Sequence, residues 1–177
     1  MGIKLDIHGR PSGLKSLLTR EFVAIMLMTA TGFFSQALLS PVLSLYMRDV
    51  GLTDQNIGLL VSMMMGGSAI GDISWGWAVD RISLKIVLFL GGVVYGVATT
   101  ALLIPQTLTL FFVVMFFYGF SRSPIYIVGR WYMGVHAPAD IKAQAFAILM
   151  VMISITQSIA SFSSGFFVEA WGYRSTI

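Results

Sequence analysis

From Ile86 to Ser121 the chain carries no charged side chain, and the next residue is Arg122. Eight positions later comes Arg130, about 12 Å further along a helix. Tyr118 and Tyr126 fall on the same four-residue spacing, so Tyr118, Arg122, Tyr126 and Arg130 form one helical stripe. A guanidinium deep in an apolar segment is costly and must face a bundle interior or a wet cavity. There it can bind an anion or serve proton coupling, or it can be one side of a structural ion pair. Asp72 supplies the possible partner. It precedes Asp80 by the same eight positions, so two acids and two arginines are expected at matching depths. If the segments touch, Asp72–Arg122 and Asp80–Arg130 can pair, which lowers the cost of burying either charge. Such a pair is either static or one that titrates and opens.

Uncharged polar residues repeat at helical steps elsewhere. Ser154, the adjacent Gln157 and Ser158, Ser161 and the adjacent Ser164 and Gly165 are linked by three- and four-residue steps, as are Thr29, Gly32, Gln36 and Ser40. The serines are expected to bond between helices, each bond contributing about 0.6 to 2 kcal/mol. The bulky amides Gln36 and Gln157 are expected to line a substrate cavity. Gly67-x-x-x-Gly71 and Gly92-x-x-x-Gly96 are small-residue patterns that let helix backbones approach closely, within the bundle or between copies.

Other chemistries find no support. There are no cysteines, and His8 and His136 stand alone, so no metal ligand set or cofactor site forms. Met63-Met64-Met65 spreads over three helix faces, unlike an ordered copper path. No Gly-Lys-Ser phosphate loop is present. No nucleophile–base pair or paired carboxylates occur at depth, so enzymatic activity is not expected.

The elements that must position these residues follow from composition. Of 177 residues, 56% are hydrophobic and 11% charged, against about 25% charged in soluble domains. The solvent is therefore largely lipid. The net charge of +3 comes from single basic residues at the ends of apolar runs, not from a patch that would bind nucleic acid. A spanning helix needs about 20 apolar residues. Five spans are predicted, at 22–47, 55–79, 86–104, 108–133 and 143–168, with Pro105-Gln106-Thr107 turning the long charge-free run into a hairpin. Residues 1–18 read as a polar leader that stays attached, because the first apolar run is too long for a signal peptide. Lys4, Arg10, Lys15, Arg20, Arg81, Lys85, Arg130 and Lys142 share one side, while Arg48 on the other is offset by Asp49. The positive-inside rule then places the amino terminus in the cytoplasm, and the expected location is the plasma (inner) membrane.

Gly76-Trp77-Ala78-Val79-Asp80-Arg81-Ile82-Ser83-Leu84-Lys85 joins spans two and three. It resembles the loop between the second and third helices of the major facilitator superfamily, Gly-x-x-x-Asp-Arg/Lys-x-Gly-Arg/Lys-Arg/Lys. Gly76, Asp80, Arg81 and Lys85 match, while Ser83 and Leu84 depart from it. Ser40-Pro41, Leu45 to Leu52, Ile57 to Leu60 and Trp171-Gly172-Tyr173-Arg174 extend the resemblance over nearly the whole chain.

The resemblance implies an all-α integral membrane protein: five helices of a major-facilitator-type bundle, stopping before a sixth. It implies inverted three-helix repeats, a pathway lined by helices one, two, four and five, and a third helix outside it. An arginine in the fourth helix is then implicated in substrate handling or proton coupling, and Asp80 in latching a gate against a carboxyl-terminal half. The expected function is proton-coupled secondary transport of a small organic solute, with a missing carboxyl-terminal half or second chain as partner. The competing expectation is a truncated, non-transporting subunit for assembly or binding.

Overall fold

The computed structural model describes residues 19–104 and 107–171. The leader, Pro105-Gln106 and the resemblance at Gly172 to Arg174 lie outside the described residues. Within them are five helices long and apolar enough to cross a membrane: α1 (Arg20–Asp49), α2 (Asp54–Val79), α3 (Leu84–Leu102), α4 (Leu108–His136) and α5 (Lys142–Trp171).

The starts of α1 and α2 have a local cause. Thr19 and Thr53 sit in extended backbone and accept hydrogen bonds from the amides of Phe22 (3.1 Å) and Asn56 (3.3 Å), satisfying a free donor of the first turn. Glu21 and Asp54 add negative charge at the helix amino ends. Gly51, at φ 86°, makes the turn between α1 and α2, a conformation that a side chain disfavours. Past the end of α4, the Lys142 ammonium donates to the Gly134 carbonyl at 2.6 Å and satisfies an otherwise free acceptor.

α4 is the centre of the bundle. Half of its most apolar stretch is buried, against 17% for α2 and α3. Facing residues give the directions. Met64, Ser68 and Asp80 meet Gly119, Ser123 and Trp131 in rising order, so α2 and α4 are parallel. Thr29, Gly32 and Gln36 meet Gly129, Ile125 and Arg122 in falling order, so α1 and α4 are antiparallel. The largest interface joins α2 to α4, and the next joins α5 to α1. The second helix of each pair thus packs on the first helix of the other, as an inverted repeat requires.

The α2–α4 seam is close because of glycine. A Cβ on Gly67 would strike the Phe116 carbonyl, one on Gly119 the Met64 carbonyl, and one on Gly71 would lie 2.7 Å from the Phe120 oxygen. Side chains then bond across the seam. The Ser68 hydroxyl donates to the Gly119 carbonyl (3.0 Å), the Ser123 hydroxyl to the Ser68 carbonyl (3.0 Å) and the Trp75 indole to the Phe120 carbonyl (3.1 Å). On α3 the small residue that packs is Gly91, against the Pro124 ring. Gly92 and Gly96 meet nothing within 4 Å, one position too far round for the pattern expected of them. Large apolar side chains cover the outer surface, among them Ile73 on α2, Phe89 on α3 and Phe162 on α5. In water such a surface would aggregate; in lipid it is the solvated state.

Candidate substrate site

Arg122 is held by three helices. Its Nε donates to Oε1 of Gln36 on α1 at 2.9 Å, and its Nη1 lies 3.4 Å from the Met64 sulfur on α2. Its guanidinium carbon stands 5.8 Å from the centre of the Tyr118 ring, one turn back on α4. Gln36 and Tyr118 are buried, each 1% exposed. Phe33, one turn before Gln36 on α1, meets Tyr126 edge to face at 4.2 Å and fixes the next turn of the stripe.

Two cavities meet at this arginine. One, of about 380 Å³, includes Asp72, Arg122, Tyr126 and Arg130 in its wall. The other, of about 210 Å³, runs toward the α1–α2 turn and is lined by Ser40, Ser44, Tyr118 and Arg122. Met64, Met65 and Arg122 belong to both walls, so these three side chains form the partition. A cationic group between a cavity facing one end of the bundle and a cavity facing the other can meet an anion from either side.

The expected ion pairs are arranged differently. Asp72 shares the larger cavity with Arg122 and Arg130, but the one ion pair among the described residues is Arg48–Asp54 at 2.7 Å. Arg48 thus reaches across the turn to Asp54 rather than to its neighbour Asp49. Asp80 accepts from the Trp131 indole at 3.2 Å, while Arg130 stands 5.9 Å from the Tyr126 ring centre. Depth along two helices was matched, but rotation about each axis aims Asp80 at Trp131. Arg81 lies over the Trp77 ring at 3.9 Å, an exposed cation–π contact beside the motif. Around Gly76 a Cβ would meet nothing within 4 Å, and Lys85 is exposed at the start of α3.

Gln157 is half-buried on α5 and outside the walls of both Arg122 cavities. Among the described residues, no serine of α5 bonds to another helix. Ser158, Ser163 and Ser164 donate to the carbonyls of Ser154, Ile159 and Ser161 on their own helix, at 2.7 to 2.8 Å. Ser44 and Trp131 were not singled out in the sequence, and Met64 only as one of a methionine run. No local signal marks them, since their roles come from the residues α4 brings opposite.

Comparison with known proteins agrees with this architecture. The family model described as Major Facilitator Superfamily matches residues 25–177. A cis,cis-muconate transport protein of Acinetobacter baylyi is 25% identical over 137 residues, which is 77% of this chain and 33% of that relative. The 4-hydroxybenzoate transporter PcaK of the same organism is 25% identical over 146 residues, 82% of this chain and 30% of the relative. An uncharacterized MFS-type transporter of Methanocaldococcus jannaschii is 22% identical over 157 residues, 89% and 41% respectively. No solved structure matches. The chain spans well under half the length of these curated relatives. Two of these relatives bear the names of transporters of small organic solutes, and with the family model matching most of its length the chain belongs to the major facilitator superfamily.

Proposed function

We propose that the chain forms part of a proton-coupled secondary transporter for small organic carboxylates. One observation carries the reading: Arg122 stands at the partition of two cavities with neutral groups, not an acid, as its hydrogen-bonding partners. An uncompensated guanidinium favours a carboxylate, which it can bind with two parallel hydrogen bonds. The printed names of two relatives, a muconate transport protein and a 4-hydroxybenzoate transporter, point to the same class of solute. Asp72, in the larger cavity and outside any ion pair in this structure, is the candidate proton carrier. Tyr118 and Tyr126 flank the arginine as the apolar walls for an unsaturated body.

The chain contributes one face of the pathway, and further polypeptide, in the same product or in a second chain, completes it. Rocking of the two bodies about Arg122 exposes the site alternately. Gly76, Asp80, Arg81 and Lys85, with Arg130 nearby, form the gating end, where Asp80 exchanges Trp131 for the opposite body. Asymmetry in lysine and arginine supports a cytoplasmic amino terminus; a place in the plasma membrane is part of the same proposal.

The test uses proteoliposomes holding the chain with the polypeptide that completes the pathway, and labelled 4-hydroxybenzoate or muconate. Uptake rises under an inward proton gradient. Arg122→Leu lowers it by about 100-fold, the loss expected for removing a half-buried charged partner of the solute. Asp72→Asn abolishes the response to the gradient but retains exchange. Uptake that survives Arg122→Leu sinks the carboxylate reading, and a gradient response that survives Asp72→Asn sinks the coupling role.

A further inference from the structure

Gln36 uses only half of its amide. The Oε1 end holds Arg122 Nε at 2.9 Å, while Nε2 is buried without a hydrogen-bond partner among the described residues. A buried donor left unmade is destabilising, so stability alone gives no reason for an amide here. What the position supplies is an acceptor without charge. A carboxylate would hold Arg122 equally well, but would also neutralise it.

Geometry adds a second point. With Nε committed to Gln36, one edge of the guanidinium is closed, and the two Nη groups at the far end remain for a ligand. The Met64 thioether at Nη1 is a weak acceptor that a carboxylate oxygen outcompetes. The guanidinium is therefore aimed and partly occupied, but its charge is unspent.

From this we infer that Gln36 is the positioning residue that sets carboxylate selectivity. Its neutral acceptor fixes Arg122 end-on to the cavities and leaves the substrate to supply the counter-charge. The inference rests on the carboxylate reading above, and it assigns the selectivity to a residue in α1 that need not touch the substrate.

The experiment measures binding of 4-hydroxybenzoate and its neutral amide by calorimetry, with the chain and the polypeptide that completes the pathway together in lipid nanodiscs. The unaltered chain binds the carboxylate and prefers it to the amide. Gln36→Glu weakens the carboxylate by about 100-fold and the neutral amide by less than about threefold, because only the anion competes with the introduced charge. Gln36→Met, similar in size but a poor acceptor, releases the Nε edge and weakens the carboxylate by about tenfold. If the Glu variant does not remain monodisperse, the Met variant carries the same test. Carboxylate preference unchanged in both variants, or equal loss of both probes, overturns the inference and leaves the carboxylate reading standing. Failure of the unaltered chain to prefer the carboxylate overturns that reading, and the inference falls with it.

Discussion

The α2–α4 seam and the face of α5 are built from similar residues, glycine and serine in apolar helices. In the seam, Gly67, Gly71 and Gly119 bring the two backbones together, and Ser68 and Ser123 bond from one helix to the other. On α5, Gly165 meets nothing within 4 Å, and Ser158 and Ser163 bond to their own helix. The first arrangement welds two helices. The second leaves Ser158 and Ser163 with their hydroxyls satisfied by their own helix, so neither needs a partner on a neighbour. What a small polar residue does in a membrane helix is decided by the surface opposite it.

The largest effect that would sharpen this contrast is steric. Gly119→Leu should destabilise the detergent-solubilised protein by about 3 kcal/mol or more, since the Met64 backbone cannot yield to a side chain. Gly165→Leu should change stability by less than about 0.5 kcal/mol. Equal thermal shifts in the two variants would break the comparison.

A smaller effect separates the serines. Ser123→Ala should cost about 1 kcal/mol, in the range measured for bonds between membrane helices. Ser158→Ala should stay within about 0.3 kcal/mol, because its own helix carbonyl already has a backbone partner. Unfolding monitored by circular dichroism distinguishes them. The smallest effect lies at the exposed end of α2. A double-mutant cycle of Asp80→Asn with Trp131→Phe should give a coupling of about 0.5 kcal/mol. Zero coupling would mean that the indole does not hold the acid.

Much of the architecture was legible because lipid imposes one rule on every element. The five apolar runs, the gap at the motif and the family itself could be read from hydropathy and from Gly76, Asp80, Arg81 and Lys85. The depth of Arg122 was legible too, since rise per residue is fixed. Azimuth was not. One position on a helix is about 100° of rotation, which separates Gly91, packed on Pro124, from Gly92, packed on nothing. The same limit hid the partner of Asp80. It also hid the function of Gln36: placing an amide at mid-membrane marks it as important but cannot say whether it faces solute or arginine. Side-chain partners depend on how helices are rotated against each other, and that is settled by the whole bundle at once.

The central position of α4 has a consequence in time. α2 has sparse contact with both α1 and α3, its neighbours in sequence, and finds its main partner only in α4. During synthesis the first three helices can each enter the bilayer, satisfied in their own backbone hydrogen bonds, yet they hold little that would join them. The glycines of α2 then face lipid tails until the fourth helix arrives with Gly119. Assembly around α2 is thus delayed until the fourth helix has been made. A chain held with α4 still inside the ribosome would present three inserted but loosely associated helices, a state in which quality control could recognise an unfinished bundle.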